Sequence, residues 1–212
     1  MYISIGPNCH PAGILRLLKL RTVSMPFDWM LIEEEKVFEY INIMINTNFC
    51  NFTENLKYNN NKKVVSNFFE YAQFFHFDLI QNKCDKIAKC NDKNLMTTMK
   101  NRANRFMTVI NNLDNEVFFL CMLHHTNIYN EKLFNNMIEF DNNKNIKCKF
   151  KVLVYFYNDN DDFILNVPEK FQNLKHFFIK KFIRNKSIHK IYGSKSDFLL
   201  LLNSIKEREK EK

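Results

Sequence analysis

Two short apolar runs constrain this chain more than any other feature. Val117-Phe-Phe-Leu-Cys-Met-Leu123 has the length and composition of a buried strand, and Lys149-Phe-Lys-Val-Leu-Val-Tyr-Phe-Tyr157 reads as another. Between them, Asn130–Phe140 spaces Leu133, Phe134, Met137, Ile138 and Phe140 as one face of a helix. A shorter strand over His176–Ile179 and a final helix over Lys195–Glu209 follow. The chain opens with the same alternation, Tyr2, Ile3 and Ile5 before a helical pattern of Ile14, Leu15, Leu17 and Leu18. Strands alternating with helices predict an α/β fold, a mostly parallel sheet with helices packed on it.

The middle of the chain is less regular. Glu33–Asn46 reads as a helix with Val37, Phe38, Ile41, Met44 and Ile45 inward, and Asn48–Lys63 as irregular, with a loop at its end. Val64–Leu79 is crowded with aromatics. Lys93–Leu113 carries an apolar stripe of Met99, Ala103, Phe106, Ile110 and Leu113, with Lys100, Arg102 and Arg105 off it. No internal repeat or strong linker breaks the pattern, so residues 1–205 are expected to form one domain. A charged tail, 206–212, follows.

Composition supports a packed protein: 46% hydrophobic residues and 22 Phe, against 3 Gly and 4 Pro, exclude a low-complexity or disordered chain. The six cysteines make no Cys-x-x-Cys pair, there is no signal-like segment, and the apolar runs are too short to cross a bilayer. These features predict a soluble cytoplasmic protein with reduced thiols and no membrane contact. The formal charge of +8 is concentrated between Glu169 and Lys195, where eight basic residues face one acid. Lys170–Lys195 is therefore a candidate polyanion contact of a non-enzymatic binding module, while a solvated face in a Lys-rich composition is the favoured reading.

The chemistry points to the N-terminus. Gly6-Pro7-Asn8 ends the first strand and Pro11 suits the first turn of a helix, which places Cys9 at the helix mouth. Unpaired N–H groups and the helix dipole favour an anion there, so a Cys9 thiolate is stabilised and its pKa lowered. A cysteine nucleophile also needs a base and a group to orient it. His76, His124 and His125 are candidates for the base, and Asp28 and Asp78 for the orienting group. Asn8, His10, Trp29, His124 and His125 are the candidate substrate-binding residues. Asp28 has a competing reading as a backbone-bonded turn residue beside a Trp anchor, and His76 as a core imidazole among phenylalanines.

Ile3-Ser-Ile-Gly-Pro-Asn-Cys9, the amphipathic helix after it and Pro26-Phe-Asp-Trp29 together resemble the DUF1796 family of papain-like cysteine peptidases, found in bacteria, plants and large DNA viruses. Phe75-His76-Phe-Asp78 resembles the family's His-Asp-Phe segment with the last two residues exchanged. Arg102-Ala-Asn-Arg105-Phe106 resembles its basic helix. The resemblance spans most of Met1–Asn130. It implies Cys9 as nucleophile, His76 as base, Asp28 or Asp78 as its partner, and a peptide or other acyl substrate without a cofactor. It also implies a papain-like α+β fold, against which the alternation of strands favours an α/β sheet. A viral member would act in the host cytoplasm.

A rival reading rests on Asp159 and Asp161, one residue apart after a strand, which resemble the Asp-x-Asp element that holds Mg²⁺ or Mn²⁺ for a nucleotide sugar in glycosyltransferases. A plain acidic turn explains the same residues. His124 and His125 are poor joint metal ligands if extended, because neighbouring side chains then point to opposite faces.

Overall fold

The computed structural model describes residues 1–74, 76–80, 83–87, 89–90, 92–158, 163–183, 196, 198–200 and 202–203, with side chains outside 76–80, 83–87 and 183. Four strands, β1 (Tyr2–Ser4), β8 (Glu116–His124), β9 (Lys149–Asn158) and β10 (Phe177–Ile183), pair in that order, every pair parallel. The fold is α/β.

The composition of β8 follows from its place. Side chains alternate between sheet faces, and in β8 both faces are covered. Phe119, Cys121 and Leu123 join one core cluster, while Leu120 and Met122 join another. Between Val117 and Leu123 both faces are packed, hence the unbroken apolar run. Helix α1 (His10–Leu17) lies on the Leu120 face, seating Ile14 and Leu15 against Leu120, Met122, Leu153 and Tyr155. Phe198 and Leu202, in a helical stretch near the C-terminus, complete that layer.

The opposite face carries α2 (Val37–Asn46), α3 (Lys93–Asn111), α4 (Glu131–Asp141) and a second sheet. Asp92 caps α3 by accepting the Asn94 and Leu95 N–H groups, and Asn130 caps α4 through the Leu133 N–H. The second sheet is antiparallel: β2 (Met30–Ile32), β5 (Phe69–Phe74), β4 (Val64–Ser66) and β3 (Leu56–Tyr58). This second sheet stands beside the expected parallel one, and its strand Leu56–Tyr58 falls inside the segment 48–63 expected to be irregular. Three-residue strands are too short for alternation to register; the rest of that segment is turns and bends, and in its last loop Asn59 Oδ1 accepts the Asn61 and Lys63 N–H groups. A hairpin of β6 (His76–Ile80) and β7 (Lys83–Ile87) precedes α3.

Three further corrections concern side chains and bounds. Leu113 is not part of the α3 stripe: the helix stops at Asn111 and Leu113 is 70% exposed. Arg102, expected off the stripe, is buried. The strand expected over His176–Ile179 runs on to Ile183. A four-residue helix, α5 (Glu169–Gln172), leads into it. The tail 206–212 lies outside the described residues.

Candidate functional site

All four strands of the parallel sheet end at one edge, and the Cys9 loop is held there by backbone bonds. Beyond β1 the Ile5 N–H donates to Leu120 O at 2.9 Å, and Gly6 O accepts the Met122 N–H at 3.4 Å. One residue on, Pro7 O accepts the Ile32 N–H at 2.7 Å, which ties the loop to β2 of the second sheet. Gly6 makes this passage with φ +86°, where a side chain would be strained.

Asn8 Oδ1 accepts the His10 N–H at 2.9 Å, and Cys9 O accepts the Gly13 N–H at 2.9 Å, opening α1. Cys9 is thus the residue at the N-terminus of α1, half-buried, and its side chain makes no capping bond. Pro11 occupies the first turn as the sequence reading expected. The N–H groups left to face an anion are fewer than at an ordinary helix start, because His10 gives its own to Asn8 and Pro11 has none.

His10 turns inward, 2% exposed, with Nδ1 3.0 Å from the Tyr155 hydroxyl and its ring edge-on to Phe182. Burial pushes the Tyr155 hydroxyl well above its ordinary range, and the Cys121 and Cys9 thiols add to that. Cys9, His10 and Tyr155 are therefore close neighbours electrostatically, on the α1 face of the sheet.

The end of β8 supplies the second half of the edge. His124 continues the alternation of Leu120 and Met122, which puts its ring on the same face as α1, packed edge-on against Tyr157. The chain then enters a 3₁₀ turn, His125–Tyr129. That turn brings the two imidazoles to 4.5 Å between centroids, correcting the expectation that adjacent histidines diverge. His124 Nδ1 lies 2.9 Å from Thr126 Oγ1, and the His125 ring packs against Phe163.

Sequence reasoning missed the carboxylate of this edge. Glu34 Oε2 accepts the His124 N–H at 2.6 Å and the Asn127 side-chain N–H at 2.6 Å. Burial raises the Glu34 pKa against the pull of these two bonds. Nothing local marks Glu34 among the acids Glu33–Glu35; its partners lie 90 and 93 residues away.

A family model described as "Putative papain-like cysteine peptidase (DUF1796)" matches residues 1–160. The chain belongs to this family. No curated protein and no solved structure matches it.

Three more residues take roles from the DUF1796 resemblance: Asp28, His76 and Asp78. Asp28 is 1% exposed, accepts the Met25 N–H at 2.8 Å and pairs with Arg21 at 2.7 Å. Burial raises its pKa, while Arg21, the Met25 N–H and Arg102 pull it down. Trp29 is buried beside it with the Arg21 guanidinium 5.1 Å from the ring, and Arg105 donates to Ser24 O. This is a knot that fixes residues 21–29. His76 and Asp78 lie on β6, opposite Ile87 and Lys86. Phe74, two residues before His76, faces Met30 at the start of β2, whereas Pro7 joins β2 at Ile32. The His76 and Asp78 side chains lie outside the described ones.

Asp159 and Asp161 also lie outside the described residues, as do 184–195 of the basic stretch. Of its described lysines, Lys170 contacts Glu131 and stands over the Phe134 ring, and Lys181 stands over the Phe163 ring. Among the described residues no cluster of three His, Cys, Asp or Glu is placed to hold a metal, and no helix is long and apolar enough to cross a membrane.

Proposed function

We propose that this DUF1796 chain is a thiol hydrolase that cleaves a peptide or other acyl bond through Cys9. The observation that carries the reading is the position of Cys9, at the N-terminus of α1 on the carboxyl edge of the parallel sheet, where α/β proteins bind their ligands. The helix dipole there favours the thiolate.

His124 is the favoured base, because its ring shares the edge and the face of Cys9. His124 Nδ1 lies 2.9 Å from Thr126 Oγ1 and 3.5 Å from the Thr126 N–H; in the tautomer whose Nδ1–H donates to Oγ1, Nε2 carries the lone pair that a base needs. His76, the base implied by the family resemblance, is the competitor. The Cys9 sulfur attacks the acyl carbon and the carbonyl electrons move to oxygen. The Cys9 N–H and the Asn8 amide, whose oxygen is already engaged, are the donors for that oxyanion. The imidazolium holds the proton taken from the Cys9 thiol. As the adduct collapses, the bond from the acyl carbon to the leaving group breaks and the leaving group takes that proton. Water then hydrolyses the thioester, restoring thiol and base.

The test is the pH-resolved rate of iodoacetamide alkylation at each cysteine, read by peptide mass spectrometry. Cys9 should react selectively with a midpoint below the ordinary value of about 8.5. His124→Ala should return it to that value. Loss of the effect in His76→Ala alone would assign the base to His76. An ordinary Cys9 profile in the unmodified chain would end the hydrolase reading.

A further inference from the structure

Glu34 has no role in the family resemblance, and Asp28 is engaged by Arg21 and the Met25 N–H. We propose that Glu34 is the positioning residue of the Cys9 site, setting the His124 ring by holding the turn that carries it. The proposal rests on the reading of His124 as base.

The geometry is specific. One oxygen of Glu34 receives both the His124 N–H and the Asn127 amide, each at 2.6 Å, so it clamps the two ends of the segment His124–Asn127. Within that segment His124 Nδ1 meets Thr126 Oγ1, which fixes the rotation of the ring. Glu34 itself is anchored from below: Val37 opens α2 three residues on, and the preceding Ile32 N–H is bonded to Pro7 O in the Cys9 loop. The same short segment, Ile32–Glu34, thus grips both the Cys9 loop and the His124 turn. Next door, Asn130 donates to Glu35 Oε2 and extends the tie along the same turn. The Glu34 carboxylate meets the backbone N–H of His124, and the buried Cys121 thiol lies within its electrostatic reach.

A clamp of this kind acts through hydrogen-bond acceptance, so Gln in place of Glu keeps an acceptor oxygen and Ala does not. The experiment compares Cys9 alkylation from pH 5 to 10 in the full chain for the unmodified protein, Glu34→Gln, Glu34→Ala and His124→Ala. All are measured well below their melting temperatures. Glu34→Ala is expected to slow Cys9 alkylation at neutral pH by about tenfold or more and to shift its midpoint toward the ordinary value of about 8.5, as His124→Ala does. Glu34→Gln is expected to retain most of the rate. A folded Glu34→Ala with an unchanged Cys9 profile, beside a His124→Ala that does shift it, would overturn the proposal while leaving the hydrolase reading intact. Glu34→Gln as slow as Glu34→Ala would also overturn it, since acceptance would then not be what matters. A His124→Ala with an unchanged profile would remove the underlying reading and the proposal with it.

Discussion

Replacing Gly6 by alanine tests how the Cys9 loop is held. Gly6 has φ +86°, and a Cβ built there stands 3.3 Å from Ile32 Cδ1 and 3.4 Å from Val37 Cγ2. Ile32 and Val37 are 6% and 0% exposed, so neither has open space to move into. The left-handed backbone costs an alanine about 1–2 kcal/mol. Making room for the methyl adds about 1 kcal/mol, at the low end for overpacking because Ile32 Cδ1 is the end of a flexible side chain. A total of about 2–3 kcal/mol lowers the melting temperature by about 4–12 °C in a chain of this length. Ile32→Val removes Cδ1, the closest atom, at its own cost of about 0.5–1.5 kcal/mol. The double variant should therefore be less destabilised than the two single variants summed, as a double-mutant cycle by calorimetry would read. Because Gly6 leads directly into Cys9, Gly6→Ala should also slow Cys9 alkylation. A melting temperature unchanged in Gly6→Ala would refute the backbone argument, and strict additivity in the cycle would refute the contact.

Asp28→Ala removes the carboxylate from the mostly buried Arg21 guanidinium, which keeps Ser24 Oγ as a side-chain acceptor, and from the Met25 N–H. A loss of about 3–5 kcal/mol is expected from the urea midpoint. Glu34 gives a pH signature of known sign. Its folded pKa is raised above the ordinary 4.5, so its contribution to stability is complete below that value and is lost as pH rises through the folded pKa. The melting temperature of the unmodified chain should accordingly fall relative to Glu34→Gln as pH rises from 4.5 through the raised folded pKa. Phe106, fully buried between Phe27, Phe49 and Phe119, should cost about 3–5 kcal/mol as alanine. Leu113→Ala, at the other end of the stripe the sequence suggested, should stay within about 0.5 kcal/mol, both by calorimetry.

The parallel sheet was legible because β8 and β9 are long and covered on both faces, so their apolar runs could not be mistaken for amphipathic surface. The helix mouth at Cys9 was legible for a local reason too: a glycine, two prolines and an apolar stripe all fall within a few residues. The antiparallel sheet was not, since strands of three residues leave no period to read, and their pairing is chosen by partners elsewhere in the chain. Local rules also failed at His124-His125, where an extended chain would have parted the rings and a 3₁₀ turn gathered them.

What the sequence by itself determined is therefore the set of local commitments: where strands end, where α1 begins, and that a cysteine stands at its start. Tertiary structure decided which carboxylate serves which end of the molecule. Asp28 meets Arg21 inside its own loop, and Glu34 meets a strand end 90 residues away. The physical reason is that a buried carboxylate is stable only where donors converge on it. That convergence depends on the turn after β2 meeting the end of β8, and no single stretch of sequence encodes it.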